Sequence, residues 1–194
     1  MSRPAEHKPE DILATAVAVF RDCGVRTSTA NIAAAAGVSN GTLFNYFPTK
    51  QELIDQLYLW IKADLAEAIG QVDSSASTRR QLHTVWERWL GWAHHHRDAH
   101  TVLQLLHQAG LAGQEARVRG VDLLGVPLGV LTRAHHAGQL VALPLPYLVS
   151  LVQHQLDQAV SAELKGSDAD TAFGVLWNGI TARDPQPAIE GAQP

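Results

Sequence analysis

An all-α fold follows from three observations on this chain of 194 residues. The helix formers Ala, Leu and Gln are abundant, whereas runs of β-branched residues are scarce. Apolar residues recur four apart over long stretches, as in Leu53, Leu57, Ile61 and Leu65. Capping residues and Gly or Pro stops punctuate those stretches. The pattern predicts three N-terminal helices, a long connecting helix and about five more in a C-terminal helical bundle, about nine in total.

Each element has its own signal. A first helix over about Glu10–Asp22 carries Ile12, Ala16, Val19 and Phe20 on one face, and Cys23-Gly24 closes it. Ser28 caps a second helix, with Asn31 where a capping-box partner belongs. Gly37 tolerates the positive φ of a sharp turn, Val38 plugs the gap, and Ser39 caps a third helix. There Leu43 and Phe47 share an inward face, while Asn40, Gly41, Phe44 and Asn45 point outward and Thr42 and Tyr46 form a flank. Pro48 stops this helix, and Thr49 with Glu52 starts a fourth that is expected to reach Val72. Lys50 lies in its first turn, where the helix dipole disfavours a cation, so it is better aimed at a phosphate.

Further helices are expected over about Thr78–His96, Asp98–Gln108 and Tyr147–Leu164. The stretch 114–137 reads as one helix kinked near Val126 by Gly125, Pro127 and Gly129. A capping box of Ser167 and Asp170 is expected to open a last helix ending near Ile180.

Two short helices joined by a tight turn, followed by the aromatic plug Phe47, form the layout of a helix-turn-helix that sets its second helix in the DNA major groove. The strings ILATAVAVFRDCG, TS, IAAAAGVSNGTLFNYF and TKQELI within residues 12–58 resemble the DNA-binding domain of TetR-family transcriptional regulators. The resemblance covers about a quarter of the chain, and its spaced series is specific. It implies a homodimeric DNA-binding regulator, most often a repressor released from a pseudo-palindromic double-stranded operator by a small-molecule effector. It also implies that Asn40, Gly41 and Phe44 touch base edges, and that Ser28, Thr29, Thr42, Tyr46 and Lys50 touch phosphates. Asn suits bidentate pairing with adenine, and Phe suits a thymine methyl. Two departures stand out: position 44 is often Tyr in the family, and Ala30 leaves no long side chain where some members read a base. The competing reading of Phe44 is a core residue.

The expected organisation is a flexible arm over 1–9, the helix-turn-helix over 10–48, a ligand-binding and dimerisation domain over 49–182, and a disordered tail over 183–194. A hydrophobic fraction of 46% with 18% charged residues excludes a disordered chain. No 18-residue apolar run or signal peptide is visible, and the lone Cys23 excludes an internal disulfide, so a cytoplasmic protein off the membrane is expected. The net charge is −4, yet residues 1–50 are net +1, so DNA contacts are expected to be localised.

In the bundle, Trp86, Trp89 and Trp92 are candidates to line a pocket for a small apolar or aromatic effector, with Leu103, His107 and Gln155 as further lining. Their alternative is ordinary core. The apolar faces Leu148, Val152, Leu156, Ala159 and Phe173, Leu176, Trp177, Ile180 suggest a four-helix bundle across a two-fold axis; the alternative is packing within the chain. His94, His95, His96 and His100 invite a metal reading, but a helix start at Asp98 breaks the spacing, and no metal site or cofactor is expected. No catalytic constellation is visible either. The rivals are a helical enzyme using a metal on the His-rich segment and a DNA-binding protein without an effector.

Overall fold

A computed structural model describes residues 8–182. Ten helices occur among them: α1 Pro9–Cys23, α2 Thr29–Ala35, α3 Asn40–Tyr46, α4 Lys50–Ile69, α5 Thr78–His95, α6 Arg97–Gln108, α7 Gln114–Leu123, α8 Gly125–His136, α9 Leu145–Ser161 and α10 Gly166–Ile180. The described residues contain no strand beyond an isolated bridge between Leu140 and Thr181. The all-α expectation therefore holds. The tail expected over 183–194 and most of the arm lie outside the described residues. Lys8 and Pro9 do not belong to an arm: Lys8 is the N-cap of α1, and Pro9 takes its first turn, where the missing N–H costs nothing.

Among the helix boundaries that differ from expectation, three have a local reason. Residues 114–137 break into α7 and α8 at Leu124 instead of kinking, because Gly125 and Pro127 are tolerated in a new first turn. The fourth helix stops at Ile69, where Gly70 takes φ 56°. The last helix is capped at Lys165, not Ser167, because Asp170 faces His83 at 3.0 Å and is not a capping partner.

The described residues pack as two compact units, one from the chain up to Gly70 together with Gly91–Gly125, the other from Gln71–Leu90 together with the chain from Val126. In the first, Ile12, Ala16 and Phe20 of α1 meet the apolar stripes of α2 and α4, all buried. Burial of an Ile or Phe side chain contributes about 1.5–3 kcal/mol. α7 lies close on α4 because Gly120 has no side chain: a Cβ there would stand 2.5 Å from Tyr58 Cε1. Asp55 of α4 also accepts from the Gly113 N–H at 2.7 Å, just before α7. In the second unit, Leu82, Val85, Trp86 and Trp89 of α5 are buried, as are Val130, Leu131 and Ala134 of α8. The Trp86 and Phe173 rings meet at 5.9 Å and join α5 to α10.

Candidate nucleic-acid interface and effector site

The helix-turn-helix is built by local hydrogen bonds that its sequence specifies. Ser28 Oγ accepts from the Asn31 N–H at 3.2 Å and caps α2. Asn31 does not return the bond; its side-chain amide donates to Thr27 Oγ1 at 3.3 Å, so the box is only half closed. Gly37 takes φ 69° in the turn, as an L side chain rarely does. Ser39 Oγ then accepts from the Thr42 N–H at 3.0 Å and caps α3. Leu43 and Phe47 are buried, which fixes the roll of α3 about its axis.

That roll leaves Asn40, Gly41, Phe44, Asn45 and Tyr46 on the open side. Phe44 is 38% exposed and Tyr46 37%, which sets aside the core reading of Phe44. Ser28 is exposed at the start of α2, while Thr29 and Thr42 are half-buried. Thr42 Oγ1 lies 2.9 Å from Ser39 Oγ, so its hydroxyl already has a partner within the cap.

Lys50, expected at a phosphate, is engaged within the chain. Its Nζ donates to the Thr27 carbonyl at 2.6 Å and the Val25 carbonyl at 3.2 Å. The ammonium thus ties α4 to the loop that presents α2. Those carbonyls lie 23 and 25 residues upstream, a contact that helical spacing does not predict.

The six candidate pocket residues are divided between the two units. Trp86, Trp89 and Gln155 belong to the second unit, whereas Trp92, Leu103 and His107 belong to the first. His107 is exposed, because it follows the packed stripe Val102, Leu103 and Leu106 into the last turn of α6. Trp92 is an anchor: its Nε1 donates to Asp64 at 2.7 Å, His96 stacks on its ring at 5.7 Å, and His100 meets its edge at 6.2 Å. His96 and His100 thereby engage one indole, and His96 is the N-cap residue before α6, off the regular helical spacing that a shared metal needs. Trp86 and Trp89 differ from Trp92. They are 2% and 6% exposed, and their Nε1 groups are buried with no hydrogen-bond partner among the described residues. Leaving a donor so placed costs about 1–3 kcal/mol.

The proposed dimer faces are largely internal. Leu148, Leu156, Ala159, Phe173, Leu176 and Ile180 are all buried within the single chain, and Val152 and Trp177 are half-buried. α9 and α10 pack on each other, and Phe173 reaches Trp86, so these apolar faces are already covered. Exposed instead are Tyr147 at 57% and Val175 at 65%, on the opposite sides of the same two helices.

One cluster was not visible in the sequence. His83 stands with Nδ1 3.3 Å from Glu87 and Nε2 3.0 Å from Asp170, in the second unit. Ligand atoms of the three lie within 4.8 Å of one another. The carboxylates occupy opposite ring nitrogens, so the imidazole bridges them; a single ion uses only one of those nitrogens. The i, i+4 pair His83–Glu87 was readable, but Asp170 lies 87 residues from His83.

Residues 12–57 match the family described as bacterial regulatory proteins, tetR family. The chain is 25% identical over 122 residues to the nucleoid occlusion factor SlmA of Idiomarina loihiensis, a match spanning 62% of this chain and 61% of that protein. Among solved structures, a TetR family transcription regulator from Shewanella sp. PV-4 is 27% identical with a TM-score of 0.81, over 92% of this chain and all of that one (100%). FadR from Bacillus subtilis, solved with stearoyl-CoA, shares the fold at 21% identity and a TM-score of 0.68, over 89% of this chain and 100% of its own. No helix among the described residues is long and apolar enough to cross a membrane. Residues 12–57 thus match the helix-turn-helix of the tetR family of bacterial regulatory proteins, and the fold around them is similar to that of solved TetR-family regulators.

Proposed function

We propose that the chain is a repressor that binds a pseudo-palindromic DNA operator as a homodimer through α3, and that a small molecule releases it. The observation that carries this reading is the outward face of α3, where Asn40, Phe44 and Asn45 stand exposed over a buried Leu43–Phe47 seam. Gly41 belongs to that base-reading face, while Ser28, Thr29, Thr42 and Tyr46 surround it and are assigned to the DNA backbone. Residues 10–48 form the DNA-binding part and 49–182 the ligand-binding and dimerisation part. Two-fold symmetry of the protein then sets the symmetry of the operator.

The dimer surface is assigned to the outer faces of α9 and α10. Val175 is flanked by Gly174 and Gly179, where an added Cβ meets nothing within 4 Å, so a second helix has room to approach. The effector is assigned to the second unit, at Trp86 and Trp89. Their unpartnered indole N–H groups favour an apolar molecule that also carries a hydrogen-bond acceptor, such as a carbonyl. The complex of FadR with stearoyl-CoA gives one example of an acyl ligand on this fold. Such a ligand shifts DNA affinity only as far as it prefers one state, typically by about 1–3 kcal/mol.

Selection of bound duplexes from a random pool tests the reading. Enrichment of an inverted repeat supports it. Recovery of unenriched DNA, with binding governed by salt alone, contradicts it. The reading without an effector is favoured if no ligand quenches tryptophan fluorescence and releases the selected DNA, whereas a Trp89→Ala chain that responds unchanged makes Trp89 a core residue and moves the pocket elsewhere in the bundle.

A further inference from the structure

Within the first unit, α1, α4 and α7 enclose a groove of about 740 Å³. Its apolar surface includes Leu59, Trp60, Ala63 and Ala116, with Leu59 and Trp60 half-buried. Its walls bring five carboxylates, Glu10, Glu52, Asp55, Glu115 and Asp122, against one cation, Arg119. Among the described residues none of the five takes part in an ion pair. Asp55 and Glu52 have hydrogen-bond partners in Gly113, Gln51 and Gln56, whereas Glu10, Glu115 and Asp122 have no side-chain partner among the described residues.

Unpaired acids on a convex surface are simply hydrated. Here they rim a concavity with an apolar aromatic lining, which focuses their field into the groove and disfavours water on its floor. A bare metal ion gains nothing from the indole and alkyl lining, and a neutral hydrocarbon gains nothing from the carboxylates. An organic cation with an apolar body satisfies both, with the Trp60 ring able to face the charge.

We propose that the α1–α4–α7 groove binds a lipophilic organic cation. The site is distinct from Trp86 and Trp89, and it stands or falls independently of the operator and effector reading. Its occupant touches α4, which follows directly on α3, so it bears on the element that carries the DNA-contacting helix.

The test titrates the full chain by calorimetry with tetraphenylphosphonium and with tetraphenylborate, which match in shape and differ in sign. The phosphonium is expected to bind saturably with one equivalent per chain, and the borate not to bind. The double variant Glu115→Gln, Asp122→Asn should weaken phosphonium binding about tenfold with an unchanged melting midpoint, since neither side chain bonds within the fold. Arg119→Gln removes the opposing charge and should tighten binding, a gain that misfolding does not mimic. Equal binding of both ions, binding of neither, or a phosphonium affinity indifferent to these three substitutions overturns the proposal.

Discussion

Lys50→Met keeps the aliphatic stem of Lys50 and removes only its ammonium, which isolates the bonds to the Val25 and Thr27 carbonyls at 3.2 and 2.6 Å. A hydrogen bond to a charged group contributes about 1.5–3 kcal/mol. These two share one half-buried ammonium that solvent still reaches, so the expected loss for the pair is about 2 kcal/mol. A chain of this size loses about 2–4 °C in melting midpoint per kcal/mol, which gives a fall of about 4–8 °C. The assay pairs a thermal melt with operator titrations over a range of salt. With the ammonium committed to the loop, the slope of log affinity against log salt stays that of the parent chain. Loss of one phosphate contact would make it shallower by about 0.9 per protomer. An unchanged melt with a shallower slope refutes the clamp and returns Lys50 to the phosphates.

Three further outcomes are expected. Gly120→Ala gains about 1 kcal/mol of helix propensity but drives a Cβ to 2.5 Å from Tyr58 Cε1, an overpacking cost of up to about 3 kcal/mol, so urea titration should show a net loss of about 1–2 kcal/mol. In a Tyr58→Ala background the same change should become neutral or stabilising, and equal losses in both backgrounds would contradict the α4–α7 contact. Val175→Glu should give a monomer by light scattering at micromolar concentration, whereas a retained dimer moves the interface off α10. Burial raises the Tyr58 phenol above its ordinary value of 10.0, so at alkaline pH the native state keeps a proton that the unfolded chain has lost, and stability falls as pH rises from there towards the folded value. Tyr58→Phe should make that alkaline fall shallower; identical slopes would remove Tyr58 as its cause.

The helix-turn-helix was legible because its signals are local. Ser28, Gly37, Ser39 and Thr49 act within three or four residues of themselves, and the four-residue spacing of Leu43 and Phe47 sets the roll of α3 without any knowledge of the rest of the chain. What failed to read out is long-range. The apolar faces of α9 and α10 announce that they are covered, but not whether by this chain or a second copy. Lys50 looks free in its own helix until the α1–α2 loop is folded back against it. His83 meets Asp170 only once α5 and α10 are side by side. Trp86, Trp89 and Trp92 look alike at helical spacing, yet only Trp92 finds a partner for its indole N–H, because Asp64 of α4 stands beside it. The kink expected near Val126 is instead a break at Leu124, because Gly125 and Pro127 serve a new first turn more cheaply than a bent helix.

The central claim is that the exposed face of α3 reads base edges, and repeating the selection of bound DNA with Asn40→Ala tests it most directly. A side chain pairing bidentately with one base contributes about 1–3 kcal/mol of discrimination. The predicted result is the parent consensus with a single position per half-site relaxed, and a correspondingly weaker affinity for the parent operator. An Asn40→Ala consensus identical to that of the parent chain would contradict the orientation of α3 on which the account rests.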